Sequence, residues 1–446
     1  MFKKIKPAVL LTFSFIAIFL LHNLITFPAR GSYDAGSHFH YADTLLEKNR
    51  LPIREETVHF HNPPAWYLLG SGSIKLVEKV WGITDWRSSI TPWQMTNLFF
   101  CFLSLVIWYK ISQFIFKKKN YKKSLFFILF LFSLPVFIRV NSMLSVEPVL
   151  TLLSGLIIYL LFKYSKQKLT LKHLLIFGII LGVTMAIKIT GYAFVVAFGL
   201  IIFLTLWLKD NQGLFKSLVA GLLIALSIFA ISGWFYIYKA KAYGLFTSGR
   251  IYPVREQPKS FFFDIPFVLM MNYPVRPHIG NRFFPVIYVD FWGDYWNYFS
   301  QRRYGIEIEH LRLVNRETIT EKRRLDLVRQ VRVNLFTTII MALGFLFTTI
   351  KRVKYVVKHK LDNQSLQSLT LLLFFWVVFL GYFYFQSRAP SWDGSNIKPS
   401  HLVYIWPVPI LFATEWLFSI KSKKICYTLL TLLVIPISLN LWFSWF

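Results

Sequence analysis

Long apolar runs recur along the whole chain, and they constrain its fold more than any other feature. The first run covers residues 7–27, and about 20 apolar residues are what an α-helix needs to cross a bilayer. Only 16% of the residues are charged, against about 25% in soluble domains. A helix satisfies all its backbone hydrogen bonds internally, as lipid requires. The sequence therefore predicts an all-α integral membrane protein.

The apolar runs alternate with lysine-rich connections, and this alternation predicts the orientation. Every second connection is short and rich in lysine, as in KKKNYKK (117–123) and KSKK (421–424). Cytoplasmic loops carry such an excess of lysine and arginine. We therefore expect a multi-pass protein of the cell (inner) membrane with a cytoplasmic amino terminus. We predict eleven transmembrane helices, at about residues 7–27, 96–116, 124–139, 146–162, 173–187, 189–208, 216–238, 333–350, 366–386, 401–419 and 425–443.

The net charge of +29 follows mainly from the same lysine bias. The rest of the excess would attract anionic membrane lipids or phosphates, and we expect no nucleic-acid partner.

Two long connections, at about residues 28–95 and 239–332, are predicted to face outward. They hold most of the Asp, Glu, His and Trp residues outside the spans. We expect one domain over residues 1–446, with these connections forming a cap over an active site. The first contains two short helical patterns, SHFHYADTLLEKNRLP and PPAWYLLGSGSIKLVEKVW. Both are predicted to be helices lying along the outer membrane surface.

Two acids from separate segments fall on the predicted outer face. Asp34 lies just after the first span, and Glu147 begins the fourth. A carboxylate there could act as general base on an acceptor hydroxyl or amine, or the two could bind a divalent metal such as Mg²⁺ or Mn²⁺. The alternatives are a helix N-cap for Asp34 and a dipole-compensating acid for Glu147.

Three histidines lie close to Asp34 along the chain. His59 and His61 bracket Phe60, so on an extended stretch they point the same way. With His38 they could contact a polar substrate or ligate a metal. Interfacial packing is the alternative.

Three basic residues are predicted on the outer face, and the positive-inside rule gives no reason for Lys188 among them. They are Arg139, Lys188 and Lys398. A cation at this level could stabilise a phosphate leaving group. The alternative is that each long side chain reaches from apolar surroundings to the interface as an anchor.

The stretch FFPVIYVDFWGDYWNYF (283–299) combines large aromatics with Asp290 and Asp294. Aromatic faces stack on sugar C–H groups, and carboxylates accept hydrogen bonds from sugar hydroxyls. This pattern predicts a sugar-binding site. An interfacial aromatic belt is the alternative.

Seven segments of the chain are YDAGSHFHY, HNPPAWYLL, the VEP start of the fourth span, AIKITGYAFV, WFYIYKAKAYG, DFWGDYW and IKPSHLVYIWP. Together these motifs resemble those of the GT-C polyprenyl-phosphate glycosyltransferases. The nearest branch is similar to the relatives of protein O-mannosyltransferases and of the lipid A aminoarabinose transferase. The resemblance implies a GT-C-type bundle of transmembrane helices and a polyprenyl-phosphate sugar donor.

The resemblance also implies roles for individual residues. It places the catalytic base or metal ligand at Asp34, a histidine at His38, and a lysine that meets lipid phosphate at Lys188. The proline–aromatic helix of the family falls on Pro63, Pro64, Trp66 and Tyr67. Many members have a second acid directly after the first, but this chain has Ala35 there. Asp34 is therefore expected to act alone or with Glu147.

We therefore expect a hexosyl or pentosyl transferase acting with inversion at the outer face. A sugar would pass from a polyprenyl-phosphate donor to a lipid, glycan or protein acceptor. Asp34 would deprotonate the acceptor, and Lys188 with Arg139 or Lys398 would stabilise the departing phosphate. The alternative is a polytopic transporter or flippase of lipid-linked sugars. Transporters place their charged residues near the membrane midplane, often in repeated halves.

Overall fold

The structure is a computed structural model that describes residues 6–27, 31–82, 92–117, 120–244, 257–297, 321–359, 361–388 and 396–445. Parts of both long connections, and residues 298–299 of the aromatic stretch, lie outside these ranges. Within them the chain is helical and contains no β-strand. The helices are α1 (Pro7–Thr26), α2 (Ala35–Lys48), α3 (Ala65–Trp81), α4 (Pro92–Phe116), α5 (Tyr121–Phe132), α6 (Pro135–Ser142), α7 (Glu147–Tyr164), α8 (Leu171–Ile187), α9 (Gly191–Leu204), α10 (Leu214–Ile228), α11 (Trp234–Tyr243), α12 (Lys259–Phe263), α13 (Phe267–Asn272), α14 (Phe283–Trp292), α15 (Glu321–Lys358), α16 (Asn363–Arg388), α17 (Pro407–Leu417) and α18 (Lys423–Ser444).

Eight helices of the described chain are long and apolar enough to cross a membrane. Six of them are single α-helices: α1, α4, α7, α15, α16 and α18. The other two contain π-helical turns, which extend α9 to Lys209 and join α10 to α11. The pair α5 and α6 makes a ninth if it counts as one span. The all-α membrane fold is thus confirmed, whereas the count of eleven spans is not.

The predicted span at 124–139 is broken in the middle. Helices α5 and α6 meet at an angle of 69°. Pro135 begins α6 and has no N–H to continue the ladder of α5. Leu134 before it is extended, with φ −67° and ψ 121°, as the residue before a proline prefers. The short helix α6 is buried along its whole length.

The predicted span at 401–419 is also different in the structure. A 3₁₀ turn at Pro399–Leu402 precedes α17, which has 11 residues. At 1.5 Å per residue α17 is about 16 Å long, roughly half of a hydrocarbon core. It packs against α15 so closely that a Cβ on Gly344 would lie 2.5 Å from the Ala413 Cα. The predicted span at 173–187 corresponds to α8, whose 17 residues make it a shorter apolar helix.

The first long connection contains the two short helices that its sequence predicts. They are α2 and α3, which pack against each other. Helix α2 buries Phe39, and α3 buries Trp66 and Tyr67. This packing brings the first turns of both helices to the same cavity.

Candidate active site

A cavity of about 250 Å³ lies where the first turns of α2 and α3 meet the ends of the longer helices. The start of α7, the residues after α8, the end of α16 and the segment 396–401 complete its wall. Seven of the ten predicted site residues line it. They are Asp34, His38, His59, His61, Glu147, Lys188 and Lys398.

These residues come from helix ends that are remote from the lysine-rich connections. Helix α7 begins at Glu147 in the cavity and ends at Tyr164, next to the lysines of 163–172. Helix α8 runs back from that connection to Lys188. Helix α16 likewise begins beyond the lysines of 351–358 and carries Gln386 to the cavity. The cavity and these lysine-rich connections are therefore at opposite ends of the same helices.

Asp34 precedes α2, but it does not cap that helix. Its side chain makes no capping hydrogen bond, and its backbone is left-handed with φ 54° and ψ 23°. Such a conformation is uncommon for a non-glycine residue and costs on the order of 1–3 kcal/mol. The carboxylate is 51% exposed and lies 3.8 Å from the Lys398 Nζ. The Lys398 ammonium holds the pKa of Asp34 well below its usual range, against the effect of burial.

Glu147 forms a tighter and more buried pair with Lys188. The Lys188 Nζ lies 2.6 Å from the Glu147 Oε1, and the two side chains are 18% and 7% exposed. The Ser145 hydroxyl donates to the other carboxylate oxygen. Both oxygens of Glu147 are therefore occupied, and its charge is balanced by a cation that also faces the cavity.

The backbone that carries Lys398 is fixed by aromatic side chains from two other elements. The Tyr382 hydroxyl of α16 accepts from the Lys398 N–H at 2.8 Å and donates to the Asn396 carbonyl at 2.9 Å. The Trp296 indole donates to the Ile397 carbonyl at 3.1 Å. Because the segment is held on both sides, the Lys398 side chain starts from a fixed position.

The histidines of the cavity wall are packed closely together. The His38 and His59 rings stack with centroids 4.2 Å apart and planes 8° apart. Burial lowers the pKa of His38 to about 4, so the ring is neutral near pH 7. Two stacked rings cannot both carry a charge without repulsion, and the neutral state of His38 avoids this.

Among the wall residues that sequence reasoning missed are His401 and Tyr382. Burial lowers the pKa of His401 to about 3, so it too is neutral. The motif IKPSHLVYIWP contains His401 three residues after Lys398, which was a usable signal. Tyr382 lies in an apolar helix and gave none.

The remaining predicted site residues lie behind the cavity wall. Asp290 and Asp294 have side chains that are 0% and 2% exposed. Arg139 lies 3.9 Å from the Asp290 carboxylate and also donates to its carbonyl oxygen. Arg323 lies 3.7 Å from the Asp294 carboxylate. One buried ion pair joins α6 to α14, and the other joins α15 to the segment just after α14. None of the four residues lines the cavity.

The residues around Asp34 and Glu147 do not fit the Mg²⁺ or Mn²⁺ site predicted from sequence. Such cations take about six oxygen ligands, whereas each of these two carboxylates faces a lysine. In the described ranges, no group of three or more His, Cys, Asp and Glu side chains could hold a metal ion.

No protein-family model matches the chain, and no curated protein matches it. Among solved structures, ArnT from Cupriavidus metallidurans bound to undecaprenyl phosphate is similar over 97% of this chain, with 12% identity and a TM-score of 0.53. The apo state of that ArnT gives 96% coverage, 11% identity and a TM-score of 0.51. The Archaeoglobus fulgidus oligosaccharyltransferase tethered with an acceptor peptide is similar over 99% of this chain, with 13% identity and a TM-score of 0.50.

The chain spans 64% and 63% of the length of the two ArnT structures and 55% of the oligosaccharyltransferase. At these low identities the likeness concerns the fold. Both proteins are GT-C glycosyltransferases, so the neighbours agree with the fold class that the sequence motifs predict. The chain has the fold of the GT-C glycosyltransferases.

Proposed function

We propose that the chain is a glycosyltransferase that moves a sugar from a polyprenyl-phosphate donor to an acceptor, with the cavity around Asp34 as its active site. The observation that carries this proposal is the pair of lysine–carboxylate contacts, Asp34 with Lys398 and Glu147 with Lys188, facing one cavity. Four separate segments supply these groups in a GT-C fold. A transferase needs a carboxylate for the acceptor and cations for the phosphate.

A lipid phosphate suits the chemistry of this cavity. Lys188 and Lys398 are only partly exposed, at 18% and 12%, and both face the cavity. A cation in such surroundings stabilises phosphate charge more strongly than it would in water. The ArnT neighbour is bound to undecaprenyl phosphate, which supports a lipid of this class as the donor carrier.

The proposed reaction is a single displacement. The acceptor nucleophile forms a bond to the anomeric carbon as the bond from that carbon to the phosphate oxygen breaks. The phosphate leaves with the bonding electrons, and Asp34 takes the proton of the nucleophile. Attack from the face opposite the phosphate inverts the anomeric centre. The donor phosphate draws the Lys398 ammonium away from Asp34, which restores the basicity of the carboxylate.

The acceptor and the membrane side belong to the same proposal. The oligosaccharyltransferase neighbour is tethered with an acceptor peptide, which supports a peptide among the lipid, glycan and protein acceptors considered. The lysine-rich connections support a cytoplasmic position for their ends of the helices. The cavity would then lie at the outer face. Hexosyl and pentosyl donors both remain candidates.

The variant Asp34→Asn tests the proposal. The purified chain in proteoliposomes would be given radiolabelled hexosyl and pentosyl polyprenyl phosphates with lipid, glycan and peptide acceptors. We expect the wild-type chain to transfer label from one of these donors. Asp34→Asn should lose at least about 100-fold in rate, as expected for loss of a general base. Glu55→Gln is the matched control, because Glu55 is exposed in the same connection and does not line the cavity.

Two results would contradict the proposal. One is full transfer by Asp34→Asn. The other is movement of the labelled lipid between leaflets with the sugar still attached, which would indicate a flippase.

A further inference from the structure

A network of hydrogen-bonded side chains lies along the cavity wall beside Asp34. The Tyr67 hydroxyl lies 3.0 Å from the His38 Nδ1. The Asn62 Nδ2 lies 3.2 Å from the same hydroxyl and 3.2 Å from the His59 Nδ1. Tyr67 is buried, and its ring stacks on Tyr41 with centroids 3.6 Å apart. This network of side chains is therefore held by packing as well as by its hydrogen bonds.

The direction of each hydrogen bond in this network follows from which atoms can donate and which can accept. An amide nitrogen can only donate, so Asn62 donates one hydrogen to Tyr67 and the other to the His59 Nδ1. The Tyr67 hydroxyl keeps its proton, because burial raises its pKa. Among the described residues, this hydroxyl is hydrogen-bonded to Asn62 and His38 alone. If it accepted from both, its buried proton would have no acceptor, which is costly. We therefore take it to donate to the His38 Nδ1. A neutral imidazole has one donor and one acceptor nitrogen. The His38 proton is therefore on Nε2.

We propose that Tyr67 and Asn62 fix His38 as the Nε2–H tautomer, so that His38 donates a hydrogen bond to an oxygen of the bound sugar phosphate and does not act as a base. The identity of that substrate rests on the proposed function. The tautomer of His38 rests on the hydrogen bonds among Tyr67, Asn62 and His38, and not on the identity of the substrate.

This assignment gives His38 and Asp34 different roles. The Nδ1 of His38 is engaged by Tyr67, and its Nε2 already carries a proton, so the ring offers no free lone pair to an acceptor nucleophile. Asp34, four residues earlier, has lone pairs and is exposed to the cavity. His38 is then a donor to the substrate, and Tyr67 is a positioning residue that sets which nitrogen of His38 carries the proton.

The tautomer can be tested without any activity assay. The full chain would be labelled with ¹⁵N-histidine, and the ring nitrogens would be assigned by the loss of one signal set in His38→Gln. We expect a protonated Nε2 and an unprotonated Nδ1 for His38 near pH 7. Tyr67→Phe should give a mixture of the two tautomers. Tyr41→Phe is the matched control, because its hydroxyl bonds to the Asn62 carbonyl and not to an imidazole. A protonated Nδ1 in the wild-type chain would overturn the inference.

The role of His38 as a donor can be tested by comparing two substitutions. His38→Gln places an amide N–H near the position of Nε2 but supplies no basic group, whereas His38→Leu supplies neither. We expect His38→Gln to keep transfer within about tenfold of wild type and His38→Leu to lose about 100-fold, since an unmatched substrate oxygen is costly. Equal loss in both variants, with both folded by their melting profiles, would overturn the donor role.

Binding measurements then show which oxygen His38 meets. Weaker binding of undecaprenyl phosphate itself by His38→Leu would support a contact with the phosphate. An effect limited to the sugar-linked lipid would support a contact with the sugar. Unchanged affinity for both lipids together with full transfer would overturn the role. If the chain transfers no sugar at all, the proposed function fails while the tautomer result stands independently.

Discussion

The two lysine–carboxylate pairs of the cavity have the same chemistry but different surroundings. Glu147 is 7% exposed and touches Lys188 at 2.6 Å, whereas Asp34 is 51% exposed and faces Lys398 at 3.8 Å. A buried charge that loses its partner is strongly destabilising, whereas a carboxylate that is half exposed keeps its contact with water when its lysine is removed. Loss of Lys188 should therefore cost more stability than loss of Lys398.

We predict that Lys188→Met destabilises the protein by about 3–5 kcal/mol, because it leaves the Glu147 charge buried without a cation. The double variant Lys188→Met/Glu147→Gln should recover most of this stability but not sugar transfer. Thermal unfolding of the purified protein in detergent measures the first effect, and the transfer assay measures the second. Lys398→Met is the control, and it should unfold close to wild type. A Lys188→Met protein as stable as wild type would show that the pair contributes nothing to the fold.

At the level of single residues, the sequence identified residues that line the cavity more often than it separated them from buried residues outside the wall. Seven of the ten predicted site residues line the cavity, because polar groups next to a span end are held at one membrane face. Asp290 and Asp294 looked similar in sequence but are buried ion-pair members. Composition cannot tell a carboxylate that faces a cavity from one that faces an arginine. Tyr382 was missed because its partners are backbone groups of a segment far along the chain.

At the level of secondary-structure elements, apolar runs of similar composition form helices of different length and shape. Helix α7 is long enough to cross the membrane, whereas α17 is an 11-residue buried helix and α5–α6 is bent by 69°. The proline that starts α6 could have signalled the break, since it cannot continue the ladder of α5. Pro399 and Pro407, at the starts of the 3₁₀ turn and of α17, are a similar local signal of a break. The number of spans was therefore less predictable than the class of fold.

Helix α16 holds the segment that carries Lys398 through the Tyr382 hydroxyl, and this contact gives a prediction. Tyr382→Phe removes one hydroxyl that holds the Lys398 N–H and the Asn396 carbonyl. We expect a rise in KM for the lipid-phosphate donor of about tenfold, with a smaller change in kcat, because Lys398 is no longer held in place for the phosphate. Tyr288→Phe is the matched control: its hydroxyl donates to the Val331 carbonyl at 2.9 Å, away from the cavity. Equal effects on KM from both substitutions would mean that lost stability, and not the position of Lys398, is responsible.

Across the whole molecule, the GT-C fold separates two kinds of charge. The acids and lysines of the cavity lie at one end of α7, α8 and α16, and the lysine-rich connections lie at the other. This arrangement suits the proposed lipid-linked donor, because its phosphate would stay at one membrane surface while its tail stays in the bilayer. From the positive-inside rule we expect the lysine-rich ends to be cytoplasmic.

The orientation of the molecule can be measured with two single cysteines. Glu55→Cys lies in the first long connection, and Lys421→Cys lies between α17 and α18; both positions are exposed. The native Cys101 and Cys426 are buried, so the wild-type chain gives the background. In intact cells, a membrane-impermeant maleimide should label Glu55→Cys at once and Lys421→Cys only after permeabilisation. The reverse pattern would place the cavity on the cytoplasmic side. A donor sugar would then have to be supplied in the inner leaflet, and the proposed site of transfer would move with it.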